Sequence, residues 1–511
     1  MSEHLPLVTH SNPPIQAVPP EVLSDIFALA TFSEHTVYNH HSRFYVPDSV
    51  PKSTQLHRLA SVCRRWRDVS VSTPVLWSSI LVHLNNDPHP ASTVDKVQMH
   101  LDRSKSSPLT VTLNVESFNS VGYRESTLDL NRPDQREGPT SWILFMMVLH
   151  NAARIRQLSI RSHYGNSEPF STSLMPRFRD RFINLERLLI DVDFSTNDPY
   201  VIGGVFTQSP LLRRVDYHSS TAKLPHLPST HLTHITLEGV PLRHFATIMT
   251  QLPLLESVDV GVWAASSLDG EDLQRSVFPR LRTFHVSLST DNYYVDWRGF
   301  TDFFDLLHCP ALTSVSFQMP IMGDHAAYCA EFNWEDSMYW QKSLEDFKGA
   351  LSNFIQRSPG IKTFRLVSMY LKDLDLFSLL RKMPQLTSLN IVDAKRSVPE
   401  GGIPVVTSAF LKELGSGGLV PRLRDLWLEL PQYEFGSKWA ALEEMLGDAV
   451  KRRLRSAYIR IEDATIPELD LQELRRLQAE GLAVRVVYAP SVANIWDRKK
   501  GVELLGYNVE S

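Results

Sequence analysis

"PLLRRVDY" at 210–217, "PLLESVDV" at 253–260 and "PRLRTFHV" at 279–286 are three copies of one pattern. Each reads proline, any residue, leucine, two further residues, and then two apolar positions separated by a polar one. The closing alternation has a period of two, which sends successive side chains to opposite faces and marks a short half-buried strand. The pattern returns in "PALTSVSF" (310–317), "PGIKTFRL" (359–366), "PQLTSLNI" (384–391) and "PRLRDLWL" (421–428). Copies without the proline are "ARIRQLSI" (153–160), "INLERLLI" (183–190), "HLTHITL" (231–237) and "RRLRSAYI" (452–459).

The residue two after the proline serves as an anchor. Anchors fall at Ile155, Leu185, Leu212, Leu232, Leu255, Leu281, Leu312, Ile361, Leu386, Leu423 and Leu454. Most successive gaps are close to the period of about 20–29 residues that stacks one strand and one helical segment per unit. Helical stripes precede several strands: Phe245, Ile248, Met249 and Leu252; Phe300, Phe303, Phe304 and Leu307; Leu344, Phe347, Leu351, Phe354 and Ile355. The region resembles leucine-rich repeats. It departs from them in lacking the asparagine three residues past the last apolar position, where His163, Asp193 and Ser220 stand in early units, so longer and irregular turns are expected. The expected fold is α/β, a curved leucine-rich-repeat-like solenoid with a parallel sheet over 150–490; a set of separate α/β domains is the competing arrangement. "SPLTVTLNVE" at 107–116 also alternates and should start or cap the sheet after a linker helix.

The first eighty residues are different. In "VPPEVLSDIFALA" (18–30), Val22, Leu23, Ile26, Phe27 and Ala30 recur at helical spacing, and Pro19 and Pro20 suit a helix start because proline presets φ where an N–H would be unpaired anyway. In "LHRLASVCRRWRDVSVSTPVLW" (56–77), Leu56, Leu59, Ala60, Cys63 and Trp66 share a helical face opposite most of Arg58, Arg64, Arg65 and Arg67. "STPVLW" then restarts a turn, with Thr73 as N-cap and Pro74 in the first helical position. Three such helices bury little apolar surface alone and gain from docking on something else.

These residues resemble the F-box: Pro19, Glu21, Val22, Leu23, Ile26 and Phe27 match its first helix, Val62, Cys63, Arg64, Trp66 and Arg67 its "VCRRWR" core, and Leu76–Trp77 its closing pair. Val18 replaces the usual leucine, and a polar, histidine-rich insertion (31–54) splits the helices, as in fungal, basidiomycete-like members. The resemblance implies binding rather than catalysis: a substrate-receptor subunit of an SCF-type cullin-RING ubiquitin ligase. It would hold a Skp-type adaptor through Pro19, Leu23, Ile26, Phe27, Leu59, Val62, Cys63 and Trp66, and an unknown target protein through the repeats. The implied layout is a tail over 1–17, the F-box over 18–82, a linker and cap over 83–149, the repeats, and a tail over 491–511. A non-degradative scaffold is the alternative, and an enzyme hidden in the irregular C-terminal part a more distant one.

Composition agrees with a globular chain: 43% hydrophobic and 21% charged residues in 511. A net charge of −5 offers no general attraction to nucleic acid or an anionic membrane. Cys63, Cys309 and Cys329 are odd in number and far apart, which fits a reducing compartment, cytoplasm or nucleus. The most apolar run, "WILFMMVL" (142–149), is far short of the about 18 residues that span a bilayer. No phosphate-loop, dinucleotide or nucleophile-elbow pattern occurs, and no His/Cys spacing suits zinc, so no catalytic residue, metal or cofactor is assigned. "GSGGL" (415–419) reads as a loop and "KRRLR" (451–455) as a solvated helix end. A long gap between anchors holds "MPIMGDHAAYCAEFNWEDSMYWQK" (319–342), whose Tyr328, Trp334 and Trp340 are the candidate target contacts, because aromatics on an inserted loop suit binding hot spots.

Overall fold

The computed structural model describes residues 18–32, 52–84, 91–115, 140–162, 178, 180–192, 205–218, 231–263, 276–289, 297–318, 338–367, 369, 371–393, 406–431, 435–450, 454–462 and 472–489. Internal contacts divide the chain into two compact units, 1–212 with 225–228, and 213–224 with 229–511.

The first unit opens with α1 (Pro20–Phe32), α2 (Lys52–Val62) and α3 (Arg64–Ser72), then a 3-10 turn at Pro74–Trp77. Pro20 stands at the first helical position of α1, and the carbonyl of Pro19 accepts the first helical hydrogen bond, from Leu23 N at 3.0 Å. The second amphipathic stretch, expected as one helix, is two. Cys63 is extended at φ −157° and ψ 170°, and α3 restarts at Arg64. Thr73 precedes the 3-10 turn but makes no side-chain cap; its hydroxyl donates back to Val69 O at 2.7 Å. The core of these helices is Leu23, Phe27, Leu56, Val69, Leu76 and Trp77, with Leu59, Trp66 and Met99 packed against it.

Parallel strands then accumulate in chain order. In the first unit these are β1 (Ser79–Leu84), β2 (Leu109–Val115), β3 (Ile155–Ser162) and β4 (Arg187–Val192), with α4 (Ala91–Ser104) and α5 (Thr140–His150) between them. Here the sheet begins one strand earlier than the sequence suggests: β1 precedes "SPLTVTLNVE", which forms β2. In the second unit the strands are β5 (Arg214–His218), β6 (His234–Pro241), β7 (Ser257–Trp263), β9 (Thr283–Ser289), β11 (Ser314–Gln318), β12 (Thr363–Val367), β13 (Ser388–Val392), β14 (Asp425–Pro431), β15 (Ser456–Glu462) and β16 (Ala483–Ala489). Each pairs in parallel with the next. The two short strands β8 (Ser276–Val277) and β10 (Leu307–His308) form a separate ladder. Strands in sequential parallel order with helices returning between them make an α/β solenoid.

The repeat pattern has a direct physical cause. The anchor N–H closes a turn onto the carbonyl three residues back, as in Leu212 N to Ser209 O (3.2 Å), Leu255 N to Leu252 O (3.3 Å) and Leu386 N to Met383 O (3.0 Å). Proline therefore occupies the second turn position, where its fixed φ is preset. The next residue's carbonyl accepts two N–H groups from the following repeat: Arg213 O from Thr233 and His234, Lys362 O from Thr387 and Ser388, Thr387 O from Arg424 and Asp425. Anchors from Ile155 to Leu386 are fully buried, and only Leu423 is half-buried. The expected helical stripes close over them. Phe303 sits 5.4 Å from Phe245, Phe304 5.4 Å from Phe354, and Trp297 4.5 Å from Phe347, between ring centroids.

Where the missing asparagine would stand, Val240, Trp263, Ser289, Pro431 and Glu462 are still strand residues, so several strands run on instead of turning. "GSGGL" is the end of a helix (Ser408–Ser416) capped by Gly417 at φ 73°. Among the described residues no helix is long and apolar enough to cross a membrane.

Candidate functional site

The helix α1 carries apolar residues on two faces. Leu23 and Phe27, four apart, point into the small core at 1% and 0% exposure. Val22, Ile26 and Leu29, at i, i+4 and i+7, keep 45%, 46% and 73% of their surface in solvent. A one-sided helix would put polar residues on that second stripe. Val62 at the end of α2 is also 60% exposed, and Cys63 is exposed. The helices are held rigidly behind this surface. Phe27 and Trp66 rings sit 4.9 Å apart, Trp77 Nε1 donates to Ser70 O at 2.7 Å, Ser24 and Thr73 hydroxyls meet at 2.9 Å, and Arg65 donates to Val18 O.

The proposed adaptor residues therefore separate by location. Ile26, Val62, Cys63 and Pro19 lie at the surface. Leu59 and Trp66 are half-buried against the core. Leu23 and Phe27 are core residues. The expectation that their side chains meet a partner is corrected, because the small core already covers both of them. Leu29 went unnoticed in the sequence. Its place one turn beyond Ile26 and near the helix end was the available signal.

Trp77 joins the helices to the first repeat. It stands three residues before Ile80, as the anchors stand before their strands, and is 1% exposed. Its ring meets His100 edge-on at 5.1 Å and lies under the Arg103 guanidinium at 4.3 Å. Burial holds the His100 imidazole below its ordinary value of 6.5; a hydrogen bond with Trp77 O opposes the shift, and His57 and Arg103 add to it.

On the second unit, the strand residues that do not enter the core form rows across the sheet. One row runs Asp259, His285, Ser316, Arg365, Asn390, Trp427, Tyr458, Arg485, each paired with the next. Burial keeps the His285 imidazole below 6.5, opposed by Asp259 and reinforced by Arg365. Burial also lowers the pKa of the Arg365 guanidinium from its ordinary value, with Glu429 and Asp259 opposing. Tyr328 and Trp334 lie outside the described residues. Trp340 begins the helix Met338–Gln356, but its side chain is also outside them. Among the described residues no three His, Cys, Asp or Glu side chains are placed to hold a metal.

A helical surface that leaves an apolar stripe uncovered, followed at once by a repeat array, is the arrangement to compare with known proteins. Residues 15–83 match the family model of the F-box-like domain. The match runs from α1 to all but the last residue of β1 and includes the whole exposed stripe. No curated protein matches the chain. Among solved structures, the TLR13–ssRNA13 complex aligns with 13% identity and a TM-score of 0.33, covering 67% of this chain and 43% of that one. The mouse RP105/MD-1 complex aligns with 12% identity and a TM-score of 0.33, covering 82% and 69%. This chain thus spans less than half the length of the first of these structures.

Proposed function

We propose that this protein is the substrate-receptor subunit of an SCF-type cullin-RING ubiquitin ligase: the F-box-like domain docks on a Skp-type adaptor, and the repeats hold a target protein. The observation that carries the reading is the stripe Val22, Ile26 and Leu29, apolar, in helical register and open to solvent beside Leu23 and Phe27, which already fill the core. Such a stripe suits a groove that reads anchors at i, i+4 and i+7. Val62 and Cys63 extend the same kind of surface at the break between α2 and α3. Pro19, Leu59 and Trp66 belong to the interface as supports that fix the start of α1 and the seat of Phe27.

The reading assigns binding, with ubiquitin transfer carried out by the enzymes of the assembled ligase. Test it by co-expressing the full chain with a Skp-type adaptor and a cullin and purifying through a tag on the chain. Recovery of both partners supports it. Recovery of the adaptor without cullin favours a non-degradative scaffold, and recovery of neither rejects adaptor docking. The place of action proposed is the cytoplasm or nucleus, where free Cys63 and Cys309 stay reduced.

A further inference from the structure

Arg365, Asn390, Trp427, Tyr458 and Arg485 stand on adjacent strands β12 to β16 in one register-paired row, on the face of the sheet turned away from the core. From the C-terminal side the row is a stack. Arg485 lies 6.0 Å from the Tyr458 ring centroid, and Tyr458 stacks on Trp427 with centroids 3.7 Å apart and planes 22° apart. Glu429 holds the Trp427 ring upright by accepting from its Nε1 at 2.9 Å, and Arg460 offsets that carboxylate at 3.4 Å. Trp427 remains 37% exposed.

The stack stops there, because the next position is Asn390, which has no ring. Beyond it comes a second cation, Arg365. Two strand spacings put Trp427 and Arg365 about 9.6 Å apart at the backbone. A flat ring standing above the short Asn390 side chain would lie at about 3.5–4.0 Å from each wall. The walls suit a ring electrostatically: an indole face on one side, and on the other a guanidinium, which a ring's negative face attracts. The polar atoms at this gap are also incomplete. Arg365 Nε, a donor, and Asn390 Oδ1, an acceptor, are screened from solvent and have no hydrogen-bond partner among the described residues. One group that both accepts and donates would satisfy them together.

We infer that this gap is a binding slot for a tyrosine side chain of an extended target segment, the ring completing the stack between Trp427 and Arg365. The phenol hydroxyl donates to Asn390 Oδ1 and accepts from Arg365 Nε–H. Both atoms are screened from solvent in the unbound chain, so the hydroxyl reaches them as the Arg365 and Asn390 side chains turn towards it. Charge on the face fits an uncharged ring rather than a polyanion, since Asp425 and Glu429 stand among Arg365, Arg460 and Arg485. The inference rests on the receptor reading above for the target's being a protein, and it names what that protein presents.

The test uses the full chain and a displayed library of random linear peptides, followed by one recovered tyrosine peptide and its phenylalanine analogue. Tyrosine should be enriched, and the tyrosine peptide should bind about fivefold more tightly than the analogue. Trp427→Ala should weaken both by about three- to tenfold. Asn390→Ala should erase the tyrosine advantage, and Asn390→Trp, which fills the slot, should abolish binding of both. Adaptor binding and the melting profile are followed in every variant, so that Asn390→Trp decides the matter if Trp427→Ala unfolds. No enrichment of tyrosine, equal binding of the two peptides, or full binding by Asn390→Trp each overturns the slot. A chain that binds the adaptor but selects no tyrosine loses this inference and keeps the receptor reading. A chain that selects tyrosine without binding the adaptor loses the reading and keeps the slot.

Discussion

Replacing Val22, Ile26 and Leu29 together by alanine should separate binding from folding. The three keep 45%, 46% and 73% of their surface exposed. Full burial of such a side chain is worth about 1.5–3 kcal/mol, so covering what remains exposed gives roughly 2.5–5 kcal/mol in total. Alanine retains part of this, which leaves about 2–4 kcal/mol lost from adaptor binding, or about 30- to 1,000-fold in Kd. The fold should barely notice. Substitutions at exposed positions usually stay within about 0.5 kcal/mol, and alanine is a better helix former than valine or isoleucine. Calorimetric titration of the full chain with a Skp-type adaptor, beside a denaturant melt, reads both quantities. An unchanged Kd with an intact fold would refute the assignment of this stripe as the docking face. A matching loss of stability would show that it is structural.

Further perturbations test the packing. Leu23→Ala, one residue from Val22 but 1% exposed, should cost about 2–5 kcal/mol of stability in a denaturant melt, the range for emptying a core site. Gly417→Ala, which forces a side chain into φ 73°, should cost about 1 kcal/mol without altering binding. Burial pushes the Cys309 thiol up to about 12, so iodoacetamide at pH 8 should alkylate exposed Cys63 and spare Cys309 until the chain unfolds, as peptide mass mapping would report. His100 and His285 both have imidazoles held below 6.5 in the fold. The unfolded chain then binds protons first, so their contribution is complete above pH 6.5 and fades as pH falls towards the lowered values. Melting temperature should drop between pH 7.5 and 5.5, and less steeply in His100→Gln.

Much of the solenoid was legible because its cause is local. Proline, anchor and alternating strand lie within eight residues and dictate turn, buried pivot and core face together. β1 escaped notice because its anchor is Trp77, which the F-box pattern had already claimed. In β16 the strand follows Leu482 one residue sooner than the motif requires: Val484 pairs with Ala457, three residues past its own anchor Leu454. On α1, spacing alone showed that Leu23, Ile26 and Phe27 share an apolar stripe. It could not say which side the core would take, since helical periodicity is indifferent to what covers the face. The break at Cys63 was hidden in the same way, as the apolar period continues through it. The row from Arg365 to Arg485 joins residues up to 120 apart, and only strand register brings them side by side.

Docking of α1 on a Skp-type adaptor is the central claim. The most direct measurement is light scattering on size-exclusion chromatography of the full chain mixed with the purified adaptor. The expected result is a one-to-one complex that holds together on dilution and in which α1 amides gain protection from hydrogen exchange. Separate elution of the two proteins, or a complex in which α1 exchanges as fast as before, would contradict it.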